Sequence, residues 1–179
     1  MVILITGASH TGKTALANRL MKELGYPCFS IDHLKMGLIR SGNTQLTPMS
    51  STDALTNYLW PILREMVKTA IENQQDMILE GCYIPANWRS DFDANYLKNI
   101  RYCCLIMHED YIKKQFSQIL SYANIAERRM DDSGCTEEYL LQENELFLHN
   151  CQANDLPYIL IHEEYQTDVQ RGLNVCLTD

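Results

Sequence analysis

Short apolar runs alternate along the chain with longer segments whose apolar residues recur every three or four positions. The apolar runs have the length of strands, and the periodic segments have the spacing of amphipathic helices. This alternation is typical of parallel strands joined by right-handed crossovers, with helices on both faces of one sheet. We therefore predict a three-layer α/β fold around a five-stranded parallel sheet. The predicted strands are residues 2–6, 28–31, 77–80, 100–107 and 158–162.

Capping signals mark the ends of the predicted helices. The first helix should start near Lys13 and stop at Gly25, because glycine readily ends a helix and Pro27 follows it. A long helix is predicted after the capping-box sequence at 50–53, and Pro61 should bend it. Its inward-facing residues are predicted to be Leu55, Leu59, Ile62, Leu63, Met66, Val67, Ala70 and Ile71.

Two connections between elements are candidates for substrate contacts. Residues 34–75 form a long insertion between the second and third strands, and its turn-rich part at 41–48 is either a substrate lid or only a connector. Later helices are predicted at 110–122 and around 140–148, with a candidate lid segment at 123–135 between them. No repeat or low-complexity tract divides the chain, so we predict a single domain over 1–179.

Composition narrows the classes of partner. The 179 residues are 46% apolar and 21% charged, which suits one ordinary domain, and no apolar stretch is long enough for a membrane span or resembles a signal peptide. We therefore predict a cytoplasmic protein without a membrane partner. The net charge of −8 disfavours nucleic acid. The seven cysteines include no C-x-x-C pair, so they predict buried thiols in a reducing compartment and no zinc site.

Residues 7–14 match the phosphate-loop motif G-x-x-x-x-G-K-[ST] directly after the first apolar run. Glycines in this motif let backbone N–H groups surround a phosphate, and the following helix points its positive end at the anion. Lys13 adds a charge, and the Thr14 hydroxyl can bind Mg²⁺. We predict a nucleoside triphosphate site, with ATP and Mg²⁺ as cofactors. Its nucleotide-binding residues are Gly7, Ser9, His10, Thr11, Gly12, Lys13 and Thr14.

Asp32 follows the second predicted strand, at the sheet edge that also carries the phosphate loop. A carboxylate there can accept the proton of an acceptor hydroxyl, or it can simply cap the helix that we predict to begin at His33. Arg40 lies about two turns further along this helix. It either binds an anionic group of the substrate or remains solvated at the helix end.

The third predicted strand also ends in an acid, Glu80, which precedes Gly81. Such a carboxylate can hold Mg²⁺ or its waters, or contact substrate. Tyr83 follows this strand closely and should lie beside the crevice at this edge of the sheet, so it is a candidate substrate contact. Further along the chain, Arg128 and Arg129 are either catalytic lid residues that reach the γ-phosphate on closure or part of a mixed-sign surface cluster.

Four features together resemble those of small P-loop kinases related to adenylate, shikimate and 2-phosphoglycerate kinases. They are the phosphate loop, the sequences at 30–34 and 79–81, and the paired arginines. The resemblance implies the P-loop NTPase fold of nucleoside monophosphate kinases, with a helical lid. The acid at position 32 resembles the base of zeta-toxin and chloramphenicol phosphotransferase-type enzymes. The sequence at 80–85 differs from the Asp-Gly-aromatic-Pro-Arg motif of the usual adenylate kinases. The resemblance therefore does not imply AMP as the phosphoryl acceptor.

These features predict a phosphotransferase that moves the γ-phosphoryl group of ATP to a small-molecule hydroxyl or nucleotide. A regulatory ATPase or switch and a toxin-like nucleotide-sugar kinase are the alternatives. A GTPase is disfavoured because the chain has no Asn-Lys-x-Asp sequence.

Overall fold

Five parallel strands form one sheet in the order β2-β3-β1-β4-β5 in a computed structural model of the chain. The structure describes residues 1–126 and 135–177, with side chains over 1–122 and 135–173. The predicted α/β class and the strand count are confirmed, and each predicted strand end is within one residue of the observed one. The strands are β1 (Val2–Gly7), β2 (Cys28–Ser30), β3 (Met77–Glu80), β4 (Ile100–Met107) and β5 (Tyr158–Ile161).

Helices connect these strands and cover both faces of the sheet. Within residues 1–126 and 135–177, none of them combines the length and apolar character that a membrane crossing needs. The segment 88–91 forms one 3-10 turn. The helices are α1 (Lys13–Leu24), α2 (Ile31–Arg40), α3 (Thr52–Glu72), α4 (Ala94–Leu97), α5 (Glu109–Ala126), α6 (Glu137–Ala153) and α7 (Tyr165–Leu177).

Alternation along β1 divides the core into two clusters. Val2 and Leu4 point to the face covered by α3, whereas Ile3 and Ile5 point to the face covered by α1, α5 and α7. All four side chains are almost completely buried. A strand that is apolar on both sides is what a parallel sheet between two helical layers requires. The observed layering therefore follows from the unbroken apolar run at the start of the chain.

The connection 34–75 contributes a large part of one core. Helix α3 begins after Ser51, whose side chain accepts a hydrogen bond from the Ala54 N–H, as the capping sequence predicted. Of its predicted inward residues, Leu55, Leu59, Leu63, Val67 and Ala70 are buried, while Ile62, Met66 and Ile71 are half-buried. The buried Trp60 was not predicted, and its indole donates to Asp91. Most of this connection is therefore crossover helix packed on the sheet.

Asn144 joins helix α6 to the end of β4. It is 2% exposed, its Oδ1 accepts from the Met107 N–H at 2.7 Å, and its Nδ2 donates to the Leu140 carbonyl at 2.8 Å. On the side of β1, Met107 has no strand residue to pair with, because the pairing of β1 with β4 ends at Leu105. The amide side chain of Asn144 therefore completes the hydrogen bonding at the end of β4. The contact was not predicted, because the prediction of this helix used only its apolar residues.

Replacing Asn144 with alanine should lower the free energy of unfolding by about 1–3 kcal/mol, because the buried Met107 N–H loses its acceptor. Asn154→Ala is the matched control: Asn154 also donates to a carbonyl four residues earlier, but it is exposed. Urea denaturation of both variants measures the difference. Equal losses in the two variants would contradict a special role for the Asn144–Met107 contact.

Candidate functional site

The phosphate loop, residues 7–14, connects β1 to α1 at the carboxyl edge of the sheet. Gly12 has a φ of 82°, and a Cβ built on it would lie 2.1 Å from the Tyr165 hydroxyl oxygen. That hydroxyl donates to the Gly12 carbonyl at 3.2 Å, and burial raises the pKa of Tyr165 to about 12, so it remains a donor. Glycine is therefore required here both by backbone conformation and by the close approach of α7.

Two side chains of the loop turn inward onto one carbonyl. Lys13 Nζ donates to the Ala8 carbonyl at 2.6 Å, and the Thr11 hydroxyl donates to the same oxygen at 2.8 Å. Thr11 is fully buried and Lys13 is 8% exposed. The ammonium group thus lies inside the concave side of the loop, where an anion would be its stronger partner.

A carboxylate already contacts the loop's backbone. Glu143, on α6, accepts from the Ser9 N–H at 2.7 Å and from the Ser9 hydroxyl at 3.5 Å, and the Tyr139 hydroxyl donates to it at 3.2 Å. An N–H donor of a phosphate loop therefore has an anionic acceptor in this structure. Glu143 was not predicted as a site residue, because 134 residues separate it from Ser9.

Thr14 and Glu80 meet in front of the loop. The Thr14 hydroxyl donates to Glu80 Oε2 at 3.3 Å, and Glu80 is only 3% exposed. Strand register explains the contact, since Glu80 lies opposite both Ile5 of β1 and Ser30 of β2. The buried hydroxyls of Thr6 and Ser30, at the ends of these neighbouring strands, have no hydrogen-bond partner among the described residues. Beside the Thr14–Glu80 contact, the carboxyl edge of the sheet therefore carries two buried hydroxyl groups that no described residue binds.

Asp32 forms a three-residue cluster with Lys35 and Tyr83. Lys35 Nζ donates to Asp32 and, at 2.9 Å, to the Tyr83 hydroxyl; it also lies 4.9 Å from the centre of the Tyr83 ring. Burial opposes ionisation of Lys35, but the bonds to Asp32 and Tyr83 outweigh it and raise its pKa above the ordinary value. Lys35 thus remains charged and holds the two predicted site residues together. Lys35 was not predicted as a site residue, and the only signal in the sequence was a lysine three residues after Asp32.

The helix-capping interpretation of Asp32 is wrong. Helix α2 begins at Ile31 with Ser30 at the N-cap, so Asp32 is the second helical residue and lies in the first turn. The strand ends one residue earlier than predicted, and the helix begins two residues earlier, at Ile31 rather than His33. At this position the carboxylate can favour the helix dipole, but it does not cap the helix.

The remaining predicted residues have separate environments. Arg40 is the exposed last residue of α2, and no ion pair of the described residues involves it. His10 has a φ of 64°, and its Nδ1 lies 3.6 Å from Cys135 Sγ. Arg128 and Arg129, with most of the candidate lid 123–135, lie outside the described residues. The structure therefore brings together Asp32 with Tyr83, and Thr14 with Glu80.

The donors at this edge suit a magnesium–nucleotide complex. Magnesium prefers oxygen ligands, and the Thr14 hydroxyl and Glu80 carboxylate supply them beside the loop. The loop itself offers backbone N–H groups and the Lys13 ammonium, with a carboxylate already bonded at Ser9. A cavity of about 870 Å³ lies instead near the amino ends of β2 and β3, and none of the predicted site residues lines it.

Comparisons with known proteins bear on the fold. No model of a known protein family matches the chain, and no curated protein matches it. A gluconokinase from Sinorhizobium meliloti 1021 matches with a TM-score of 0.55 at 13% identity, over 97% of this chain and 89% of that one. A shikimate kinase from Bacteroides thetaiotaomicron matches with a TM-score of 0.52 at 17% identity, over 98% and 97%. A deoxyadenosine kinase from M. mycoides matches with a TM-score of 0.55 at 15% identity, over 98% of each chain.

Matches of such low identity over nearly whole chains establish a shared fold. The chain therefore has the fold of the small P-loop kinases, as the phosphate loop and the order of the other motifs predicted.

Proposed function

We propose that this protein is an ATP- and Mg²⁺-dependent phosphotransferase that transfers the γ-phosphoryl group to a hydroxyl of a small molecule. The Thr14–Glu80 contact beside the phosphate loop is the observation that carries the proposal. A hydroxyl and a carboxylate are groups that can bind Mg²⁺, and they lie next to a loop whose N–H groups can bind phosphate. The kinase fold supports the same reaction class. Asp32 lies at the end of the strand next to the one that carries Glu80, which is where an acceptor would approach.

The phosphate loop would bind and orient the triphosphate. Lys13 would exchange the Ala8 carbonyl for a phosphate oxygen, and the loop N–H groups, of which that of Ser9 has an anionic acceptor, would bind the phosphates. Thr14 and Glu80 would hold Mg²⁺, directly or through its waters. The bound ion supplies positive charge to the phosphate oxygens during transfer.

Asp32 would accept the proton of the acceptor hydroxyl. Lys35 keeps the carboxylate oriented through their ion pair. The Tyr83 hydroxyl accepts from Lys35, and the Lys35 ammonium lies over the Tyr83 ring. A carboxylate held in this way can bind the hydroxyl and take its proton as the new phosphate–oxygen bond forms.

A nucleotide shift in thermal stability tests the phosphate loop. ATP with Mg²⁺ should raise the midpoint of unfolding, and Lys13→Ala should remove most of this rise because the phosphates lose their buried cation. Lys22→Ala is the control, since Lys22 lies exposed at the end of the same helix. A normal shift in Lys13→Ala would contradict the assignment.

Metabolites that raise the midpoint further, with a non-hydrolysable ATP analogue present, identify acceptors for the transfer assay.

Asp32→Asn should reduce phosphoryl transfer by roughly 10²-fold or more, because an amide cannot accept a proton at neutral pH. Nucleotide binding should persist, and stability should change by less than about 1 kcal/mol, since the Asp32–Lys35 pair is partly exposed. Asp53→Asn is closely matched: Asp53 is likewise the second residue of its helix, α3, but lies outside the site. Retained transfer in Asp32→Asn would exclude Asp32 as the base.

The same variant separates the kinase from its rivals. A kinase should lose transfer to the acceptor while slow hydrolysis of ATP by water persists. A regulatory ATPase would instead hydrolyse ATP with no compound adding to the thermal shift. A toxin-like kinase would be recognised by a nucleotide-sugar acceptor in the same screen.

Glu143 would compete with the triphosphate for the loop. Its carboxylate has a charge-assisted bond to the Ser9 N–H, and its charge opposes that of an approaching phosphate. Binding of nucleotide at Ser9 therefore requires Glu143 to move away.

Glu143→Gln should tighten nucleotide binding by roughly three- to tenfold. Breaking the hydrogen bond from the Ser9 N–H to a neutral amide costs less free energy than breaking the bond to a carboxylate, by about 1 kcal/mol. Glu145→Gln, on the exposed side of the same helix, should leave binding unchanged. Calorimetric titration with ATP and Mg²⁺ measures both. Weaker binding in Glu143→Gln would show that Glu143 supports the bound nucleotide rather than competing with it.

A further inference from the structure

Three potential metal ligands from separate parts of the sequence meet beyond the ends of β4 and β5. His108 directly follows β4, Asp110 lies in the first turn of α5, and His162 directly follows β5. One ligand atom from each residue lies within 4.8 Å of the other two. Strand register causes the meeting, because Met107 pairs with Ile161 and the His108 N–H then donates to the Ile161 carbonyl at 2.8 Å.

The distances are close to those of a metal site. Asp110 Oδ2 lies 3.5 Å from His108 Nδ1 and 3.9 Å from His162 Nε2. Two ligands of a tetrahedral zinc ion are separated by about 3.3 Å, which follows from bonds of roughly 2.0 Å. The histidine rings lie 4.5 Å apart at 75° to each other. Small rotations of these partly exposed side chains would complete the approach.

Hydrogen bonding leaves a place for a cation. The backbone N–H of Asp110 donates to His108 Nδ1 at 3.2 Å, which requires that nitrogen to be unprotonated. This N–H uses the lone pair of Nδ1, and Asp110 Oδ2 lies 3.5 Å from the same nitrogen, so two acceptor atoms lie close together without a hydrogen between them. A bound cation removes this repulsion, and it would replace the Asp110 N–H as the partner of His108 Nδ1.

The loop that carries His162 is well ordered by its own contacts. Asp168 Oδ2 accepts from the N–H groups of His162, Glu163 and Glu164 at 2.8, 2.9 and 3.2 Å. The Glu163 and Glu164 side chains add exposed negative charge next to His162. The surroundings therefore hold one ligand in place and favour a cation.

We propose that His108, Asp110 and His162 form a binding site for a late first-row divalent metal ion such as Zn²⁺, with water in the remaining coordination positions. Two imidazoles and one carboxylate suit these metals, whereas Mg²⁺ prefers an all-oxygen set. The site is separate from the Thr14–Glu80 pair. The ion would connect α5 to the loop before α7, whose Tyr165 contacts the phosphate loop.

Zinc titration without nucleotide or Mg²⁺ tests this site. One equivalent of Zn²⁺ should bind the chelator-treated protein and raise its thermal midpoint. His108→Gln and His162→Gln should each weaken binding by about tenfold or more, because each removes a direct ligand. His149→Gln, which changes an exposed histidine on α6, should bind as the unchanged protein does.

The chain's cysteines are the main competing ligands, so the titration is repeated with Co²⁺, whose absorption spectrum distinguishes thiolate from nitrogen and oxygen ligation. A spectrum without thiolate bands that is lost in the His108→Gln, His162→Gln double variant supports the proposal. Thiolate bands, or equal binding in the double variant and the unchanged protein, would overturn it and leave an ordinary His–Asp pair. Neither result depends on phosphotransferase activity.

Discussion

The parallel register of the central strands is the constraint on which the site depends. Glu80 aligns with Ile5 on one side and with Ser30 on the other, so the ends of β1, β2 and β3 lie at one level. The phosphate loop follows the first of these strands, Asp32 follows the second, and Glu80 ends the third. A shift of one residue in β3 would turn Glu80 to the opposite face of the sheet and remove it from Thr14.

Opposite charges and shared carbonyls hold the site together without a ligand. Lys13 is bonded to the Ala8 carbonyl, Lys35 to Asp32, and the Ser9 N–H to Glu143. Each of these groups has a partner that a substrate or nucleotide can replace. Such temporary pairing avoids the free-energy cost of a buried group without a partner, while it keeps the donors directed at the crevice. Under the proposed function, this arrangement would make nucleotide binding competitive, most directly at Ser9.

Sequence reasoning succeeded where the chemistry is local. The phosphate loop is a continuous motif, and strand ends were predicted to within one residue because buried parallel strands are apolar on both faces. It misplaced the start of α2, which begins at Ile31 rather than His33, and this two-residue difference excludes the helix-cap alternative for Asp32. It predicted no zinc site from cysteine spacing alone, whereas the metal site proposed above joins His108 and His162, which are 54 positions apart (162 − 108).

The sequence by itself determined the class of fold, the phosphate loop and the acids at two strand ends, since each depends on residues adjacent in the chain. Tertiary structure alone decided that Glu143 would contact Ser9, that Lys35 would join Asp32 to Tyr83, and that two histidines would meet at Asp110. The physical reason is that these contacts depend on strand order and helix docking. Both are set by burial of the whole apolar surface, and no local spacing of residues records which side chains that burial brings together.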